Sequence, residues 1–194
     1  MPTTAIAYFG LIETAVGPLL VAGSGKRLVA IKFDVDEARL ADALTDLHRE
    51  LHGAFTLVRD DARVAGMMKQ VRDYVAGTRT TFDLAFDLSW VTPFRRDVLL
   101  ACAAVPRGEV ATYADLAARV GNPRAVRAVG STMRTNPIPI VIPCHRIVAS
   151  GGGLGGFGGG LDMKRQLLAL EGASWSGAVP SRERDMPQRE RRIV

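Results

Sequence analysis

Cysteine is the scarcest informative residue in this chain: two, Cys102 and Cys144, in 194 residues. That excludes a disulfide-stapled scaffold and leaves no cysteine-rich cluster with the spacing of a structural zinc site. Histidine is nearly as rare, with three. His48 and His52 fall i,i+4 on an expected helix, without a Cys or an acidic partner set, and read as solvated. No run of apolar residues is long enough to span a bilayer, so no membrane partner is expected. The opening MPTTAIAYFGLIET has no basic segment ahead of an apolar stretch and carries Glu13 early, so it does not read as a secretory signal. A cytoplasmic protein is expected, nucleoid-associated if the source is bacterial.

What is present is the composition of an ordinary globular protein, 47% hydrophobic and 23% charged, in a chain long enough for one large or two small cores. The charge is unevenly placed. Residues 1–86 hold 10 Lys+Arg against 11 Asp+Glu, whereas residues 87–194 hold 15 against 9. A basic half beside a neutral one suggests a polyanion partner, although a solvated basic surface explains the charge equally well.

The first third carries strand signals at 4–9, 17–22 and 27–33, divided by turns such as GSGKR. Leu40, Leu44, Leu47 and Leu51 then recur at helical spacing after the acidic start DVDEA. A second helix is expected over 62–76, with Val64, Met67, Met68, Val71 and Val75 on one face. FDLAFDL at 82–88 alternates as a strand or a linker.

From Thr92-Pro93, a cap and first-turn pair, the texture becomes helical, with a helix to about Val105. TYADLAARVG gives a short helix ending at Gly121. GNPRAVRAVGSTMRTNP gives a turn and a second helix, stopped at Asn136-Pro137. This is the outline of a helix-turn-helix. The second helix is read as carrying Arg124, Arg127 and Arg134 among Ala125, Ala128, Gly130 and Ser131. Small residues let a helix lie close to another surface and arginines meet phosphates, but tight packing inside the protein would need the same small residues. A proline-broken β-rich run, IPIVIPCHRIVAS, leads into GGGLGGFGGG, eight glycines in ten. A helix, LDMKRQLLALEG, then runs to a cap at Gly172. Residues 173–194 read as a flexible charged tail. The expected architecture is α/β in two domains. Residues 1–88 form a small sheet-plus-helix domain, and 89–172 a mainly helical one with a winged helix-turn-helix-like motif.

The two thiols differ in setting. Cys102, in LLACAAV, reads as a small core hydrophobe, whereas Cys144 stands in Pro-Cys-His-Arg. A thiol is a useful nucleophile only as thiolate, and a free pKa of about 8.5 leaves most of it protonated at neutral pH. His145 is a base next door. Side chains adjacent on an extended segment point to opposite faces, so contact with Cys144 needs a turn or a bridging water. A carboxylate orienting the imidazole would complete a Cys–His–acid relay, and from spacing alone Glu171 and Asp162 both qualify.

The segment IPCHRIV, with GEVATYADLAARVGNPRAVRAVGSTMRTNPIPIV before it and GGLGGFGGGLDMKRQLLALEG after it, closely resembles the O6-alkylguanine-DNA alkyltransferases. The match runs from about residue 92 to 172, and the first ninety residues fit the outline of the family's N-terminal domain. The resemblance implies irreversible, single-turnover transfer of an alkyl group from O6-alkylguanine in duplex DNA, and from O4-alkylthymine, to Cys144. It implies His145 as the water-mediated base and Glu171, rather than Asp162, as its orienting carboxylate. Asn136 would be a hinge asparagine, and Tyr113 a hydroxyl donor toward the purine as guanine leaves. Arg127 would enter the duplex in place of the flipped nucleotide. Arg124, Arg134, Ala128, Gly130, Ser131 and Thr112 would lie along the DNA. Met133, Pro139, Ile147 and Phe157 would wall the base pocket, with the Cys144 and Ile147 carbonyls and the Gly158 amide reading the guanine edge. Two positions depart from many members: Phe157 replaces tyrosine, and Gly158 a serine found in some.

The implied partner is double-stranded DNA carrying O6-alkylguanine, with no small-molecule cofactor and no metal. The zinc of some relatives needs cysteines that this chain lacks before Cys102. A monomer in solution is expected, with cooperative loading on DNA left open. The rival readings are a non-catalytic alkyl-lesion sensor, a helix-turn-helix regulator and a cysteine hydrolase.

Overall fold

The computed structural model describes residues 4–173, which form two compact units. One holds residues 4–92 together with Pro137–Val141, and the other holds Pro93–Asn136 and residues 142–173. Most of the expected tail lies outside the described residues.

The first unit is a five-stranded sheet with two helices. Its strands are β1 (Ala5–Ile12), β2 (Leu19–Ser24), β3 (Arg27–Phe33), β4 (Phe55–Arg59) and β5 (Ala85–Phe86), in the order β4-β1-β2-β3-β5. β1, β2 and β3 are antiparallel neighbours, while β4 pairs parallel to β1 and β5 parallel to β3. Of 82–88, only β5 is strand, and Asp87 N–H then donates to Leu28 O at 2.8 Å. Helix α1 (Leu40–Glu50) closes a core of Phe9, Leu20, Val29, Leu47, Leu51 and Phe55. It stops short of His52, which adopts φ +51 beyond the helix and lies 6.5 Å from the Trp90 ring. The expected i,i+4 pair is therefore not on one helix.

Helix α2 (Asp61–Val75) is capped by Asp60, whose side chain accepts from Arg63 N–H at 3.1 Å. It buries the expected stripe of Val64, Met67, Met68, Val71 and Val75, with Tyr74 added. Each side chain so buried contributes about 1.5–3 kcal/mol. Pro137–Val141 is joined to this unit through Ile31 N–H, which donates to Pro137 O at 2.8 Å, and Ile138 and Ile140 are fully buried.

The second unit holds α3 (Pro93–Ala103), β6 (Ala111–Thr112), α4 (Tyr113–Arg119), α5 (Val126–Arg134), a 3-10 turn over Cys144–Arg146, β7 (Ile147–Val148) and α6 (Gly160–Leu170). β6 and β7 pair in parallel. α4 begins in a capping box: the Thr112 hydroxyl accepts from Asp115 N–H at 3.1 Å while the Asp115 carboxylate accepts from Thr112 N–H at 2.7 Å. It ends at Gly121, where Asn122 N–H reaches back to Ala117 O at 2.9 Å and Gly121 N–H to Ala118 O at 3.0 Å, the paired bonds of a Schellman stop.

α5 starts at Val126, later than the sequence suggests. Asn122–Ala125 is a turn closed by Ala125 N–H on Asn122 O at 2.9 Å. Arg124 therefore sits in the turn ahead of the helix, and Pro123, which would suit a first helical turn, lies in that turn instead. The helical second half, the small sheet of the first and the two-unit organisation make this an α/β protein.

Candidate functional site

Cys144 lies in the second unit, in a turn rather than a strand. Pro143 holds φ −81 at its start, Arg146 N–H donates to Pro143 O at 2.9 Å, and Cys144 N–H to Ile142 O at 2.8 Å. The β-rich run read around it reduces to the two residues of β7, because its prolines cannot donate to a ladder.

The Cys144 side chain is almost fully enclosed, 6% exposed. Burial pushes its thiol pKa up, against a hydrogen bond from Asn136 and the charge of Lys164, both of which favour the thiolate. Asn136 also donates Nδ2 to Ile142 O at 2.8 Å, bracing the chain two residues before the thiol. Cys102 is buried as expected, and burial raises its pKa well above the ordinary value.

His145 is fully buried, with Nε2 2.7 Å from Glu171 Oε1. Glu171 is at the same time ion-paired with Arg146, which donates Nε to Oε2 at 2.8 Å and Nη2 to Oε1 at 3.1 Å. A carboxylate so held accepts hydrogen bonds and does not donate them. His145 therefore carries its proton on Nε2 and leaves the Nδ1 lone pair as a base. Nδ1 is buried with no hydrogen-bond partner among the described residues. Burial lowers the His145 pKa and the Glu171 bond works in the opposite direction. Glu171 owes its place to the end of α6. Gly172 takes φ +69 just beyond it, and Ala173 N–H returns to Leu168 O at 2.9 Å. Asp162, the other carboxylate compatible with spacing, sits in the first turn of α6 and pairs with Arg165 at 2.8 Å.

Two cations of this site had no place among the residues expected from sequence. Arg146 is buried, and besides Glu171 its Nη1 donates to Val105 O. Lys164 is fully buried and is held by carbonyls: its Nζ donates to Ile147 O at 2.5 Å, to Leu154 O and to Gly156 O at 3.4 Å. It thus ties both limbs of the glycine-rich loop together. Burial depresses its pKa to about 8.

Tyr113, the first residue of α4, meets the same loop. The Gly156 backbone amide hydrogen-bonds its hydroxyl, an accepted bond that leaves the hydroxyl's own proton for another partner, and burial raises its pKa. Gly155, at φ +68, lies so close that a Cβ there would stand 2.7 Å from the Tyr113 hydroxyl. Phe157 is half-buried and sets its ring edge-on to His145, centroids 6.3 Å apart. Met133 and Ile147 are buried, Gly158 is exposed, and Pro139 is buried within the stretch that belongs to the first unit.

The exposed face of α5 carries Arg127, Ala128, Ser131 and Arg134, with Val129, Thr132 and Met133 buried opposite. A Cβ at Gly130 would meet nothing within 4 Å. The small residues here are consequently not explained by packing inside the protein, and the helix offers a low, arginine-edged surface outward. Arg124 is exposed in the preceding turn. Thr112 spends its hydroxyl on the capping box.

Among the described residues no group of three or more His, Cys, Asp or Glu is placed to hold a metal ion, and no helix is long and apolar enough to cross a membrane.

A buried cysteine followed by a carboxylate-bound histidine, in a unit that also carries a helix-turn-helix, is the arrangement of the DNA-directed cysteine transferases. Residues 93–173 match the 6-O-methylguanine DNA methyltransferase DNA binding domain, and residues 7–88 match the ribonuclease-like domain of the same proteins. The methylated-DNA–protein-cysteine methyltransferase of Methanosarcina barkeri is 37% identical over 84% of this chain and 96% of its own length. That of Mycobacterium tuberculosis is 35% identical over 84% and 92%. The crystal structure of Mycobacterium tuberculosis OGT in complex with DNA superposes with a TM-score of 0.71 at 34% identity, covering 85% of this chain and 92% of that one. The chain belongs to the 6-O-methylguanine DNA methyltransferase family.

Proposed function

We propose that this chain repairs DNA by direct reversal, taking the alkyl group from O6 of guanine onto Cys144 as a methylated-DNA–protein-cysteine S-methyltransferase. The observation that carries the assignment to Cys144 is its buried thiol beside a histidine whose Nε2 is fixed by Glu171, leaving Nδ1 as the base.

The chemistry is a displacement at carbon. The Cys144 proton passes through a water to His145 Nδ1, the thiolate forms an S–C bond with the alkyl carbon, and the C–O6 bond breaks. The electron pair leaves with guanine, which takes a proton from the Tyr113 hydroxyl as it departs. Asn136 and Lys164 favour the thiolate against its burial. The product is a thioether with no second thiol assigned to resolve it, so each molecule acts once.

A buried alkyl carbon must leave the base stack to reach this thiol, at a cost of a few kcal/mol. The exposed face of α5 supports a docking role, with Ala128, Gly130 and Ser131 admitting close approach. Arg127 fills the vacated position, while Arg124 and Arg134 contact phosphates. Met133, Ile147 and Phe157 wall the base, and the Gly158 amide with the Cys144 and Ile147 carbonyls reads its edge. The partner is duplex DNA, bound by a monomer that needs no cofactor.

Intact-mass measurement after incubation with an oligonucleotide carrying O6-methylguanine tests this reading. One added methylene per molecule, located on Cys144 and absent from Cys144→Ala, is expected; multiple turnover, or an unmodified protein, contradicts it.

A further inference from the structure

The turn between α3 and α4 meets the C-terminal end of α6 at three points. Arg107 Nη2 donates to Leu170 O at 2.5 Å. Arg146, while holding Glu171, places Nη1 on Val105 O. A Cβ at Gly108 would stand 3.3 Å from Glu171 O. Leu170 is the last residue of α6, and its carbonyl is one of those a helix leaves without an internal donor. A guanidinium there is also favoured by the helix dipole. The Leu170 carbonyl belongs to the peptide bond from which Glu171 continues, so the Arg107 bond anchors the backbone that carries the carboxylate.

Arg107 is only partly exposed, and its Nε is buried without a partner among the described residues. A solvated surface arginine would not leave a polar atom in that state. The cost of that burial is offset by what Nη2 and the packed stem hold in place.

We propose that Arg107 is a positioning residue for alkyl transfer: by clamping the end of α6 it holds Glu171 in register with His145 Nε2. Arg146 grips the carboxylate itself and Arg107 the peptide behind it, so two arginines from different segments fix one acid. The inference rests on Cys144 being the alkyl acceptor. Nothing local to the sequence around Arg107 indicates the role, because its partner lies 63 residues away.

The test is the rate of alkyl transfer from an O6-methylguanine oligonucleotide to the full chain, measured against pH for wild type, Arg107→Ala, Arg107→Met and Arg107→Lys, with thermal midpoints alongside. The charged groups bearing on His145 are Glu171, Arg146 and Lys164, and none of them is changed. Arg107→Ala and Arg107→Met are expected to lower the plateau rate on the order of tenfold. They should also move the acid limb to lower pH, because His145 loses part of the bond that raises its basicity. Arg107→Lys, which still carries a cationic donor, recovers most of the rate.

A folded Arg107→Ala or Arg107→Met with the wild-type plateau and acid limb overturns the inference. So does a loss that tracks the thermal midpoint alone and is not recovered by lysine. If alanine does not fold, the methionine and lysine variants carry the same comparison. A wild-type chain that takes up no alkyl group sinks the transfer reading itself. Alkylation of wild type with indifferent Arg107 variants sinks only the positioning role.

Discussion

Glu171 accepts from two buried partners at once, and this makes it the residue whose loss has the most separable consequences. Glu171→Gln should slow alkyl transfer by about tenfold to a hundredfold, since the outer partner of an acting histidine sets both its orientation and its basicity. It should also cost on the order of 3 kcal/mol of stability, because Arg146 is left buried beside a neutral amide. Urea midpoints and single-turnover rates read the two effects separately, and a variant with normal stability would contradict the ion pair. Lys164 gives a prediction with a definite sign. An unfolded lysine keeps its proton to about pH 10.4, whereas here the pKa is about 8. Between those values the unfolded chain binds more protons, so this group adds stability as pH rises through that window. Lys164→Met should lose about 1–3 kcal/mol from unpaired carbonyls. Its deficit relative to wild type should grow from about pH 7 to about pH 9.5, and a constant deficit would count against the depressed pKa. Pro-Cys-His-Arg singles out Cys144 and His145, but spacing leaves Glu171 and Asp162 level; only the family resemblance favours Glu171, the carboxylate that the fold sets 2.7 Å from His145 Nε2. Arg146 and Lys164 were not legible, because nothing local distinguishes a buried cation from a solvated one. Their partners, Glu171 and the carbonyls of Ile147 and Leu154, are fixed only by the fold.

At the scale of elements, α5 separates two explanations that its sequence leaves level. Small residues at Ala128, Gly130 and Ser131 fit either internal packing or a docking face, and the exposure of Ala128 and Ser131 with the open space beyond Gly130 leaves internal packing unsupported. Arg127→Ala should therefore lower repair of duplex DNA far more than reaction with free O6-benzylguanine, which needs no base extrusion. Equal losses in paired rate measurements would remove Arg127 from the duplex. Helices with long apolar stripes or clear stops, such as α2 and α4, were readable from periodicity and caps. β4 is hard to read because it is short: only Phe55 and Leu57 of its five residues turn inward, and an exposed Val58 blurs the alternation. The start of α5 was misplaced because Pro123 suits a first helical turn as well as the turn that it occupies.

At the scale of the whole molecule, the sequence places one boundary between domains, near residue 88, and a tail from 173, whereas the fold divides the chain at Thr92 and again on either side of Pro137–Val141. No composition shift marks that short return, because Ile138 and Ile140 look like any apolar pair before a proline. Their burial at 0% exposure within the first unit is a tertiary fact. A fragment of residues 89–173 is thus expected to expose both isoleucines and to lack a cooperative unfolding transition by circular dichroism. A fragment that melts cooperatively and takes up alkyl groups would show that the return segment does not depend on the first unit. The α/β class was legible despite this, since it follows from strand and helix content alone.

The same return sets a rule for recombining members of this family. Exchange of residues 1–92 between relatives would leave Ile138 and Ile140 facing a foreign core, six and four residues ahead of the reactive sulfur. A viable chimera must carry five residues from the other side of α5 along with the N-terminal piece, so the heritable module is discontinuous even though each domain looks contiguous in sequence.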